Sequence, residues 1–157
     1  MTQTIFNHFE GSWQFKRITP HGKMIGVARF TNKTPNELHY REEGLFIRET
    51  IPKVSSEDDN EQYTHKIFQE YIYRLENDKI VIYFNEKPPR LFHRLEFTDD
   101  SQAFGFHLCK SDQYEAFFHF ESPEKFTVTY LVKGPKKNYT INTTFQKYVK
   151  TTLPGQF

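Results

Sequence analysis

The sequence predicts an all-β domain, an antiparallel barrel of about ten short strands with a short helix at its N-terminus. Three observations predict it. Apolar and polar residues alternate with period two through most of the chain. Compact turns rich in Asn, Asp, Gly and Pro separate the alternating runs. Aromatic residues make up 17% of the chain, with 17 Phe and 9 Tyr; such a bias favours strands and supplies apolar area with few aliphatic side chains. Turns of hairpin length favour an up-and-down barrel over a sandwich, which usually needs longer crossings. Closure also removes the exposed strand edges that an aromatic chain could not tolerate.

The elements follow in order. Residues 4–10 offer one helical stretch, with Ile5, Phe6 and Phe9 on one side. In the first strand Trp13, Phe15 and Arg17 face one way, and Gln14 and Lys16 the other. Pro20-His21-Gly22-Lys23 turns the chain. Residues 26–31 form a second strand with Ala28 and Phe30 inward. After the turn at 32–36, a third strand over 38–47 holds Tyr40, Glu42 and Gly44 on one face. Pro52 and the acidic run 55–61 interrupt the pattern as a solvated loop. A fourth strand spans 66–75, and Asn77-Asp78-Lys79 is a hairpin signal because Asn and Asp tolerate positive φ. Residues 80–84 follow, then the Glu86-Lys87-Pro88-Pro89 turn. Leu91, His93, Leu95 and Phe97 alternate in one further strand. Beyond Asp99-Asp100-Ser101 lie the strand of His107 and Cys109 and three more, over 114–120, 126–132 and 139–147.

The 157 residues, 1–157, form a single domain without internal repeat or linker, and the tail 151–157 is expected to be loose. With 21 basic and 20 acidic residues the formal net charge is +1, so no nucleic-acid partner is expected. Cys109 is the single cysteine, which leaves no internal disulfide and fits a reducing compartment. No signal peptide and no apolar run of membrane-spanning length is evident, and the expected location is the cytoplasm.

The functional question lies in polar residues at positions a barrel would normally fill with apolar ones. His107 and Cys109 share a strand face with the small residues Ala103 and Gly105, which leave space inside a barrel. That parity sends Phe104 and Phe106 outward, where the N-terminal helix or the connection 49–64 could cover them. Tyr40, Glu42, His93, His107 and Cys109 share core-facing parity, and Arg17, Tyr114, Lys136 and Tyr139 are placed to join them. Two readings follow. One is a ligand pocket with phenylalanine walls and a few convergent polar groups, with Glu42, His93 and His107 at one cavity and Tyr40 or Tyr114 at its edge. The other is a hydrogen-bonded network inside a filled barrel, with Glu42 paired to Arg17 or Lys136. Asp112 reads first as a turn residue bonding its own backbone.

The remaining motifs are weaker. His93, His107 and Cys109 are chemically able to ligate zinc or iron, but no Cys-x-x-Cys or His-x-x-x-His spacing supports a metal, and none is expected. A single histidine is likewise uninformative as a haem ligand, and no cofactor is expected. Cys109 beside His107 could be a nucleophile, although a reduced, buried cysteine is the commoner fate. Gly134-Pro135-Lys136-Lys137 lacks the helix of a nucleotide loop and reads as a basic hairpin able to attract an anion.

Local motifs add a resemblance. Gly11-Ser12-Trp13 at the start of the first strand is similar to the Gly-x-Trp of lipocalin-like barrels, in which the tryptophan closes the bottom and stacks on a cation of the last strand. Lys147 matches that cation. The chain over 9–148 resembles the domain of unknown function 6314, a lipocalin-like or calycin-like family. The resemblance is carried by Gly11-Ser12-Trp13 with Arg17, Gly26 and Phe30, by Tyr40-Arg41-Glu42-Glu43-Gly44, by Tyr71 and Arg90-Leu91-Phe92-His93, by His107-Leu108-Cys109 with Asp112 and Tyr114, and by Gly134-Pro135-Lys136-Lys137-Asn138-Tyr139. It implies a calycin/lipocalin-like antiparallel barrel and no established activity. Three positions depart from the family pattern. Asn85-Glu86-Lys87-Pro88-Pro89 stands for an acidic-glycine turn, Asn138 for an aspartate, and Lys147 for an arginine.

The expected function is binding of a small aromatic or acidic organic molecule inside the barrel. An enzyme is the alternative, with Glu42 or His107 as general acid or base and Arg17, Lys136 or tyrosine fixing the substrate. The third reading is an interaction module with a solid core.

Overall fold

The computed structural model describes residues 1–48 and 64–148. The acidic run and the C-terminal tail therefore lie outside the described residues, as does the connection expected to cover Phe104 and Phe106. A short helix, α1 (Thr2–Phe9), precedes strands β1 (Gly11–Thr19), β2 (Gly22–Thr34), β3 (Glu37–Arg48), β4 (Thr64–Glu76), β5 (Lys79–Phe84) and β6 (Arg90–Arg94). Strands β7 (Glu96–Asp99), β8 (Gln102–Cys109), β9 (Asp112–Ser122), β10 (Lys125–Lys133) and β11 (Asn138–Lys147) complete the described chain.

The strands form one antiparallel sheet of 11, in the order β6-β5-β4-β3-β2-β1-β11-β10-β9-β8-β7. Every neighbour is consecutive in sequence except β1 and β11, whose pairing joins the two ends of the meander. This is the up-and-down order expected from the short turns. Asn77 and Asp78, at φ 48° and 65°, form the two-residue β4–β5 hairpin. Inward glycines bend the wall. Gly26 and Gly44 face each other across β2 and β3, and a Cβ on either would run into the partner strand's backbone.

The nearly closed barrel has a seam. The sequence reads 91–97 as one strand, but the structure divides it at Leu95. β6 pairs with β5, β7 pairs with β8, and the Leu95 amide donates to the Ile80 carbonyl at 2.9 Å. The chain crosses from one edge of the sheet to the other at that point, and β6 comes against β8. Leu95 and Phe97 keep the inward parity of His93 across the crossing, so alternation alone cannot register the change of partner. A second gap lies beside β4. β5 stops at Phe84, opposite Tyr71, so 64–70 have no partner on that side among the described residues. Ile67 is 40% exposed there although its parity is inward.

The helix closes the opposite end. Ile5, Phe6 and Phe9 are buried, and Phe9 packs on Phe30, Tyr73, Phe120 and Phe126 with ring centroids 5.0–5.8 Å apart. Trp13 is 1% exposed, donates from Nε1 to the Phe9 carbonyl at 2.8 Å and stands opposite Lys147 in the β1–β11 register. The Lys147 ammonium lies 5.2 Å from the Trp13 ring centre and donates to the His8 carbonyl at 2.7 Å. Two carbonyls left free at the helix C-terminus are thus satisfied by the first and last strands of the barrel. The expected match of Trp13 with Lys147 is present. The helix is engaged at this end and does not cover the outer face of β8, where Phe106 is 46% exposed and Phe104 packs on Phe117 at 5.3 Å. Among the described residues no helix is long and apolar enough to cross a membrane.

Candidate functional site

Above the aromatic plug, inward residues of seven strands leave a cavity of about 280 Å³. Its polar wall comes from β1 and β3. Period-two alternation carries the inward side from Trp13 and Phe15 to Arg17, and from Leu38 and Tyr40 to Glu42. The Arg17 guanidinium grips the Glu42 carboxylate with two bonds, Nη1 to Oε2 at 2.7 Å and Nη2 to Oε1 at 2.9 Å. Tyr40 donates its hydroxyl proton to Glu42 Oε1 at 2.6 Å, and Arg17 Nε donates to Thr143 Oγ1 at 2.8 Å. Glu42 is buried, its side chain 3% exposed, whereas Arg17 retains 23% exposure. A bidentate guanidinium–carboxylate pair with further bonds at both ends is the arrangement that tolerates burial. Of the two partners proposed for Glu42, the structure selects Arg17.

Tyrosines and apolar side chains make the other walls, among them Tyr71, Tyr73, Tyr130, Phe92 and Val128. Burial pushes the Tyr71 hydroxyl up to about 12, with the Glu42 charge adding to it. Burial also raises Tyr73 and Tyr130, so all three stay protonated. Among the described residues, neither Tyr71 nor Tyr73 hydrogen-bonds another side chain through its hydroxyl, and both remain available to a ligand. The cavity extends along β4 to Gln69 and to Ile67, which is 40% exposed, past the end of β5.

The two histidines do not line this cavity. His93 stands behind its wall at the seam, 0% exposed, with its ring against Phe92 and its Nε2 3.0 Å from the Tyr130 hydroxyl. Gly105 makes room for it, since a Cβ there would come within 3.0 Å of the imidazole. His107 lies nearer the rim, half-buried, its ring 6.3 Å from that of His93 and 6.3 Å from that of Tyr114. The expected convergence of Glu42, His93 and His107 on one cavity is thus corrected. Glu42 lines it, His93 reaches it through Tyr130, and His107 stands outside. Tyr40 and Tyr114 both line it. The small-residue face of β8 is inward as expected, but His93 fills the space it leaves.

Three rim residues are also placed differently from expectation. Cys109 is exposed. It shares parity with His107, but it lies at the end of β8, where the β8–β9 turn extends beyond the barrel; parity fixes a face, not a depth. Lys136 is exposed on the bend closed by the Gly134 amide and the Lys137 carbonyl, at 2.7 Å. The next residue is the one held against the barrel. Lys137 pairs with Asp112 at 3.0 Å and reaches the Tyr114 hydroxyl at 3.4 Å. Asp112 is therefore an ion-pair partner that packs on Gly134, and no bond to its own turn is formed among the described residues. Tyr139 is half-buried and opposite Val132 at the same end. Among the described residues no three His, Cys, Asp or Glu side chains are gathered so as to hold a metal ion.

Burial lowers the His93 pKa from 6.5 to about 4, assisted by the neighbouring His107 and opposed by the Phe106 backbone. The unfolded chain then takes up a proton between those values that the folded chain refuses. Stability is complete above pH 6.5 and falls as the pH drops towards 4, by roughly 3 kcal/mol over the window. Urea unfolding at pH 7 and pH 4.5 is expected to show this loss, and His93→Gln to show less of it. An unchanged pH slope in the variant would contradict the assignment.

A family model matches residues 9–147, nearly all of the described barrel. The chain belongs to the family of unknown function DUF6314. No curated protein matches the DUF6314 chain in sequence. Two solved structures place its fold. The S-type phycobiliprotein lyase CPES from Guillardia theta is 11% identical, with a TM-score of 0.63 over 93% of this chain and 92% of that one. The structure of EF1p2_mFAP2b bound to DFHBI is 11% identical, with a TM-score of 0.51 over 94% of this chain and 100% of that one. At such identity the likeness concerns the fold, and the DUF6314 chain is a lipocalin-like, calycin-like barrel.

Sequence reasoning missed the tyrosines of β4 and β10 as site residues. Tyr71 enters the sequence reading only as a position of the family resemblance, and Tyr73 and Tyr130 are not singled out in it. The inward parity that Tyr71 and Tyr73 share with Ile67 and Gln69 was the signal available.

Proposed function

We propose that this protein binds a small, uncharged aromatic molecule inside its barrel. The observation that carries the reading is the cavity of about 280 Å³ with aromatic walls and one charged but internally neutralised polar wall. Aromatic side chains supply stacking surface. The protonated Tyr71 and Tyr73 hydroxyls supply hydrogen bonds that orient the guest. The charges of Arg17 and Glu42 cancel within their bidentate pair, so a ligand carboxylate would enter without a free countercharge, at a desolvation cost. This favours an uncharged guest over an acidic one. The same commitment leaves Glu42 poorly placed as a general base, since both its oxygens accept from Arg17 and one also from Tyr40. That a barrel of this fold is bound to DFHBI supports the use of such an interior for a small molecule.

Titration with 4-hydroxyacetophenone and with 4-hydroxybenzoate, followed by NMR, tests the reading. The neutral compound is expected to bind at least about tenfold more tightly than the acid, a difference of about 1.4 kcal/mol. Val128→Trp, which fills the cavity, is expected to abolish binding while the variant stays folded. Absence of binding at millimolar concentration, or binding indifferent to Val128→Trp, would contradict it.

A further inference from the structure

The His93–Tyr130 pair gives one wall of the cavity a direction. His93 is completely buried, and only one of its ring nitrogens has a full partner: Nε2 meets the Tyr130 hydroxyl, while Nδ1 has no group in hydrogen-bond geometry. The proton shared by His93 and Tyr130 could lie on either atom, and the chemistry of the two groups chooses between them. A phenol is the stronger donor and a neutral imidazole nitrogen the stronger acceptor. The hydroxyl therefore donates, the Nε2 lone pair accepts at 3.0 Å, and the ring proton sits on Nδ1. Burial keeps both groups uncharged, so the arrangement persists at neutral pH.

The consequence falls on the ligand. Once the Tyr130 proton is committed to His93, its oxygen can only accept, and Tyr130 lines the cavity. We infer that His93 is a positioning residue that makes the Tyr130 oxygen an acceptor towards the cavity, and that the guest presents a hydroxyl or N–H donor to it. The inference rests on the binding reading proposed above and narrows it to phenols and aromatic N–H compounds. A matching donor gains a bond to the Tyr130 oxygen. A guest with an ether oxygen there sets two acceptors against each other, and unpaired buried polar groups of this kind discriminate strongly.

Paired titrations of 4-hydroxyacetophenone and 4-methoxyacetophenone test this, together with the ¹⁵N signals of His93. The wild-type protein is expected to favour the phenol by at least about tenfold, with His93 protonated on Nδ1. In Tyr130→Phe the preference is expected to fall to about a tenth of its wild-type value, because the accepting oxygen is gone. In His93→Phe it falls similarly, since the Tyr130 proton is released. His93→Gln, which can offer a carbonyl oxygen where Nε2 stands, restores it. Equal binding of the two compounds by the wild type overturns the inference and leaves the binding reading standing. A preference that survives Tyr130→Phe is steric and overturns it too, as does a His93 protonated on Nε2. If neither compound binds, the binding reading fails and the inference with it.

Discussion

Trp13→Ala is expected to destabilise the protein by roughly 3–5 kcal/mol, the usual cost of removing a buried large aromatic side chain. For a chain of this size that lowers the melting temperature by roughly 6–20 °C. Three losses combine. The indole packs on Phe126 at 4.8 Å, and its removal opens a void in the aromatic plug. The Phe9 carbonyl loses its donor, and the Lys147 ammonium loses the ring beneath it. Burial already lowers the Lys147 pKa, so the lysine depends on what remains around it. Calorimetry of the purified variant checks the effect. An unchanged melting temperature would mean that the plug does not hold the closed end together.

Arg17→Met is expected to cost about 3–5 kcal/mol, towards the lower figure because Arg17 keeps some solvent contact. The variant retains much of the arginine's packing volume but leaves the Glu42 carboxylate without its countercharge in a buried position. Tyr40 can donate one proton to that carboxylate and cannot neutralise it. The double variant Arg17→Met/Glu42→Leu is expected to recover most of the loss, because replacing both members of a buried pair with apolar groups is often near neutral. Urea denaturation of the two variants distinguishes a charge effect from a packing effect. A double variant as unstable as the single one would show that packing dominates.

The barrel was legible because its signals are local. Alternation, aromatic strands and hairpin turns each act over a few residues, and the inward sides of β1, β2 and β3 were read correctly, including Arg17 beside Glu42. The seam was less legible. Nothing in Leu91-His93-Leu95-Phe97 marks the residue at which a strand changes partner, because the inward parity survives the crossing. Depth along the barrel was hidden for the same reason. His107 and Cys109 share one face, yet one packs beside Phe92 and the other is exposed. Lys136 and Lys137 are adjacent in one bend, yet only Lys137 is directed to Asp112, which packs on Gly134. The cavity required the fold itself, since its tyrosines converge from strands distant in sequence.

Methyl-detected NMR during a titration with 4-hydroxyacetophenone tests the central claim most directly. Val128, Val132 and Ile141 line the cavity, whereas Ile25, Leu45 and Leu108 are exposed. The account predicts saturable shifts at the first three and none at the second three. Shifts confined to the exposed methyls, or none at all up to millimolar ligand, would contradict it.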